Sequence, residues 1–196
     1  MPFPHSGLHA EWSMLDDEGG THTSSVDIRF ENEGYTAQGA LGSDRAQFVL
    51  RLSATLIVQQ FMLFRDMDEP DLWLGRDRSG RWGEWLGRDR SGRWGEINGA
   101  HRPDLDGCSD IALRMTPFAS SIICKRLPLL VGHAASLNVA HVDVETLQIE
   151  PRLRTFARIG ERRWRYLSEH SASEVEVDVD DYGIARDVPG EFTRLA

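Results

Sequence analysis

The sequence predicts an all-β protein built from consecutive hairpins. Apolar residues recur at every second position in several short runs, glycine, asparagine and aspartate clusters interrupt those runs, and β-branched and aromatic residues fill many of them. Period two sends alternate side chains to opposite faces of a strand, so each run offers one face to a core. At 196 residues the chain suits a single domain, residues 1–196, large enough to bury a sizeable core.

Glu11 to Leu15 reads as a first short strand, followed by an acidic, glycine-rich turn. Val26, Ile28 and Phe30 share one face, Asn32 to Gly34 reverse the chain, and Tyr35, Ala37 and Gly39 continue the alternation as the second arm of a hairpin. Phe48, Leu50 and Leu52 repeat the pattern. Residues 54–64 are more continuously apolar, and their β-branched and aromatic content favours a strand over a short helix. Residues 137–149 read as one long strand-like segment, bent where the alternation shifts phase, and Pro151 opens the next. Gly160 and Glu161 mark a turn, after which Trp164 and Tyr166 share one face and Arg163 and Arg165 the other. Val175, Val177 and Val179 then alternate with acidic residues. If these two strands pair, cross-strand ion pairs account for both charge runs without a binding surface.

The segment WLGRDRSGRWGE occurs at Trp73 to Glu84 and again, unchanged, at Trp85 to Glu96. One copy holds enough strand and turn residues for one hairpin. A second reversal would invert every strand that follows, so one copy is expected to straighten or to bulge out as a loop.

The formal charge of -9 argues against nonspecific nucleic-acid binding, and the arginines and tryptophans of the repeat are read as a solvated turn with tryptophans covering the sheet. The N-terminal residues lack the basic start and apolar core of a secretory signal, and no apolar stretch is long enough to cross a bilayer as a helix, so a cytoplasmic location is expected. Cys108 and Cys124 are too few for a disulfide framework and read as buried packing. His5 and His9 lack a third metal ligand, His133 and His141 read as sheet histidines, and Asp104, Asp106 and Asp110 read as turn residues. No nucleophile elbow, phosphate loop, dinucleotide fingerprint or zinc-helix motif occurs, so no catalytic residue, cofactor or metal is expected.

From Trp94 to Leu127 the chain carries Trp94, Asn98 and Gly99, then Leu105, Gly107, Cys108 and Asp110, then Thr116 and Pro117, and finally Lys125, Arg126 and Leu127. In this order and spacing the segment resembles a bacterial glycolipid-binding family formerly catalogued as a domain of unknown function. The tail resembles it too, with Asp180 to Gly183 as a turn and Pro189-Gly190 near the end. The resemblance implies a long antiparallel sheet curled into an incomplete or splayed barrel, with little helix. It also implies an amphiphilic, glycolipid-like small molecule as partner. Ser120, Ile123 and Lys125 stand where the family commonly has Asn, Pro and Arg, so the first cation here is a point charge and not a planar fork.

Within that resemblance, Lys125 and Arg126 beside an apolar strand-lined cavity would hold a polar head group, and Thr116 would add a hydroxyl. The expected function is non-catalytic glycolipid binding. A hydrolase or isomerase using His133 or His141 with an aspartate, and a structural or interaction module, are the alternatives.

Overall fold

The structure, a computed structural model, describes residues 2–15, 20–43, 45–65, 70–76, 81–85 and 100–196. Strands β1 (Leu8–Leu15), β2 (Thr21–Glu31), β3 (Gly34–Leu41), β4 (Ala46–Ser53), β5 (Val58–Phe64), β6 (Leu72–Arg76), β7 (Trp82–Trp85) and β8 (Ala100–His101) form an antiparallel meander in which each strand pairs with its sequence neighbour. The β2–β3 turn sits where the sequence placed it. Asn32 and Glu33 both have positive φ, 51° and 62°, the primed geometry whose twist matches the flanking strands. In β4, Phe48, Leu50 and Leu52 are buried on one face as their alternation requires.

The first copy of the repeated segment supplies β6 and most of β7, which pair with Trp73 opposite Trp85 and Arg76 opposite Trp82. The straightened or bulged copy expected from the duplication concerns residues 86–96, which lie outside the described residues.

The second half is arranged differently. Strands β9 (Cys108–Leu113), β10 (His133–Val142), β11 (Ile149–Arg158), β12 (Arg163–Leu167) and β13 (Glu174–Asp178) make a second sheet in the order β13-β12-β11-β10-β9. Within it β9 and β10 run parallel, joined through the helix α1 (Phe118–Arg126). Strand β14 (Phe192–Arg194) crosses back to pair with β1 in the first sheet. The described residues are mostly β, in a long antiparallel sheet and a shorter mixed one that do not close among these residues, a splayed, incomplete barrel.

One expectation is corrected here, and one element has no counterpart in the alternation. Residues 137–149 are not one bent strand: β10 ends at Val142 and β11 begins at Ile149, so Pro151 lies inside a strand and does not open one. The reversal is made by Asp143, whose carboxylate accepts hydrogen bonds from the amides of Glu145 (3.0 Å) and Thr146 (2.8 Å), with Leu147 at φ 61°. Residues 118–126 are helical, which alternation did not reveal because the helix is buried on most sides and has no single apolar stripe.

That helix fills the space between the sheets. Phe118 stacks on Phe48 of β4 with ring centroids 6.0 Å apart, and Phe48 itself lies against Gly39 of β3, where an added Cβ would come within 2.6 Å of the ring. On the other side, the Ser121 hydroxyl donates to the Pro117 carbonyl (2.9 Å) and accepts from the Ala185 amide (3.0 Å). The indole of Trp12 in β1 donates to the Ala185 carbonyl at 3.1 Å, so one buried backbone segment links α1 to the first sheet. Both cysteines are buried, and burial pushes both thiols up, as suits packing residues.

Candidate functional site

Three of the residues that carried the family resemblance, Trp94, Asn98 and Gly99, lie outside the described residues. The others frame the β9–α1 unit. Gly107, at φ +87°, turns the chain into β9, whose first residue is the buried Cys108. Asp110 is 1% exposed and accepts from the guanidinium of Arg126 through both oxygens, Nε to Oδ1 at 3.3 Å and Nη2 to Oδ2. The pair locks the last turn of α1 to the middle of β9. At the opposite end, Thr116 Oγ1 accepts from the Phe118 amide at 3.2 Å and the Pro117 carbonyl anchors Ser121, so Thr116 and Pro117 start the helix.

Lys125 and Arg126 line a cleft of about 470 Å³ between the C-terminal end of α1, the turn 54–56, the β11–β12 turn and the turn 179–183. Thr116 does not join them. It borders a much smaller pocket of about 10 Å³ at the other end of the helix, with Ser120, Tyr166 and Glu169. The Lys125 ammonium lies 4.6 Å from the Phe3 ring centroid. Burial pushes its pKa down, while the nearby Asp180 carboxylate pushes the other way. The aliphatic stem of Lys125 packs on Gly183, whose φ of +82° and lack of a Cβ leave the room.

Arg158 and Trp164, missed by sequence reasoning as site residues, form another wall of the cleft. The Arg158 guanidinium donates to the carbonyls of Leu129 (2.8 Å) and Glu161 (2.7 Å) and sits 5.9 Å from the Trp164 ring. Arg162 pairs with Asp181 across the mouth. The expected apolar cavity reaching the basic pair is not what lies there: the cleft walls are mainly polar and charged, because α1 and its neighbours occupy the space between the sheets. Apolar surface lies nearby in sequence, at Ile57 (42% exposed), Leu130 (71%) and Val131 (50%).

The histidine alternative gains a partner, a glutamate in place of the expected aspartate. His141 is buried, with Nδ1 2.8 Å from Oε2 of Glu169, a charge contact whose geometry falls short of an aligned hydrogen bond. Arg154 donates to the same carboxylate at 2.9 Å. Burial would raise the Glu169 pKa, but the close His141 imidazole and the hydrogen-bonded Arg154 guanidinium outweigh it and hold the carboxyl at about 2. Glu169 borders the 10 Å³ pocket, and the cluster braces the chain after β12 against β10 and β11. His133 is exposed at the start of β10. Asp104 pairs with Arg102 at 2.7 Å and Asp106 with His101 at 3.0 Å, and no metal-holding group of His, Cys, Asp and Glu occurs among the described residues. No helix among the described residues is long and apolar enough to cross a membrane.

The family described as "Putative glycolipid-binding" matches residues 85–194, more than half of the chain. A solved structure of a DUF1089 family protein from Pseudomonas aeruginosa is 22% identical, with a TM-score of 0.57 over 100% of this chain and 95% of that one, a likeness of fold. No curated protein matches.

Proposed function

The chain belongs to the glycolipid-binding family, and on that premise we propose that it is a non-catalytic binding protein for a glycolipid or similar amphiphile, held by its polar head in the Lys125–Arg126 cleft. The observation that carries the reading is the composition of that cleft. Cations from α1 and β11, carboxylates from the turns and Trp164 line a space of about 470 Å³, which suits a head group bearing hydroxyls or negative charge. Lys125 is half-buried and poorly hydrated, so it gains more from a ligand oxygen than a surface lysine would. Arg126 borders the same cleft while its guanidinium stays paired with Asp110. The acyl part is assigned to exposed apolar residues that follow the cleft walls in sequence, Ile57 after Leu56 and Leu130 and Val131 after Leu127, since burying such chains returns about 0.8 kcal/mol per CH₂.

Native mass spectrometry of the purified protein, followed by solvent extraction, tests this. A glycolipid retained in stoichiometric amount is the expected result. A bare protein that also ignores a panel of glycolipids overturns it.

A further inference from the structure

The cations that line the head-group cleft differ in what holds their charge. Arg126 is paired with Asp110, and Arg162 with Asp181. Lys125 feels the Asp180 carboxylate, although that group also closes its own turn. Asp180 Oδ1 accepts from the amides of Tyr182 and Ile184, both at 2.9 Å, and Oδ2 lies 3.7 Å from Arg194.

Arg158 is held by neutral groups alone. Its guanidinium donates to the carbonyls of Leu129 and Glu161 and lies beside the Trp164 ring, and no carboxylate pairs with it among the described residues. Its Nε is buried and has no hydrogen-bond partner among those residues. A guanidinium carries more N–H donors than these two carbonyls take up. The carbonyls and the indole thus fix where the charge sits without neutralising it. A half-buried cation in that state gains most from an anion, because a charge-assisted pair is stronger than a neutral hydrogen bond.

On the premise that this cleft holds a head group, we propose that the head group is anionic, carrying a sulfonate, phosphate or carboxylate on its sugar, and that Arg158 selects it over neutral sugars. The planar fork suits two oxygens of one such group. Lys125 adds a second positive charge to the same space from the end of α1. The Glu161 carboxylate, exposed on the β11–β12 turn, is screened by solvent. A chain of formal charge -9 is repelled by anionic surfaces in general, so a preference for an acidic lipid has to come from a local site of this kind.

Flotation of the full chain with phosphatidylcholine vesicles provides the test. One set carries galactosyl diacylglycerol, a neutral glycolipid, and the other carries sulfoquinovosyl diacylglycerol, a sulfonated one. The wild-type chain should bind the sulfonated lipid about tenfold more tightly, a margin of about 1.4 kcal/mol. Arg158→Gln should bind both lipids alike, at the level of the neutral one. Arg158→Lys keeps the charge without the fork and should retain part of the preference, which a purely structural role for Arg158 would not produce. Equal binding of both lipids by the wild-type chain, a preference that survives Arg158→Gln, or a lysine variant no more selective than the glutamine one overturns this assignment and leaves the binding function standing. Binding to neither lipid overturns both.

Discussion

In the β1 to β5 meander, strands that pair are neighbours in sequence, and residues at every second position fill the core. In the β9–α1–β10 unit the paired strands run parallel, and the element between them is a helix buried against both sheets. The two regions hold their shape by different means. The meander needs little beyond alternation and a turn such as Asn32-Glu33, because each hairpin closes locally. The crossover unit is pinned by a few buried polar contacts between distant residues: Asp110 with Arg126, Ser121 with Ala185, and Glu169 with His141 and Arg154. Apolar packing is non-directional, so a helix lying between two sheets needs such contacts to fix one position.

That contrast is open to breakage at graded sites. Phe118→Ala removes the ring stacked on Phe48 and should cost about 3–5 kcal/mol in urea unfolding, the largest loss, because it opens a cavity where helix and meander meet. Glu169→Gln should cost about 3 kcal/mol at neutral pH, from a carboxyl held at about 2 against an ordinary 4.5. The folded pKa lies below the unfolded one, so this stabilisation is complete above pH 4.5 and disappears as pH falls through about 2. Stability measured across that window should fall in the wild-type protein and fall less steeply in the variant. Asp110→Asn weakens the clamp on Arg126, which is 22% exposed and can partly rehydrate, so about 2–3 kcal/mol is expected by the same unfolding assay.

Smaller effects lie on surfaces. Gly183→Ala forces a side chain into a positive-φ position against the Lys125 stem and should cost about 1–2 kcal/mol, with a weakened head-group affinity as its distinguishing sign. Arg165→Ala breaks the exposed pair with Glu176 across β12 and β13 and should leave the unfolding midpoint unmoved. A large shift there would contradict the division between a locally closed sheet and a pinned helix.

The sequence legibility follows the same division. Val26, Ile28, Phe48, Leu50, Trp164, Tyr166 and the valines of β13 could be placed because their neighbours in sequence are their neighbours in the sheet. The cross-strand pairing of Arg165 with Glu176 was readable for that reason. Helix α1 was not, since burial on several sides erased the amphipathic stripe by which helices are found. The basic pair was legible as a feature of interest, but its two members separate in role: Arg126 turns inward to Asp110, while Lys125 lies over Phe3. Arg158 and Trp164 join them only because the β11–β12 turn folds back beside the end of α1, and nothing in their spacing announces that.

The most direct test of the binding account is hydrogen exchange measured with and without a glycolipid in solution. The account predicts slowed exchange in the four segments that wall the cleft, residues 54–56, 124–127, 158–164 and 179–183, with the meander unchanged. Protection confined to the space between the sheets, along β9 and the first turns of α1, or no protection at all, would contradict it.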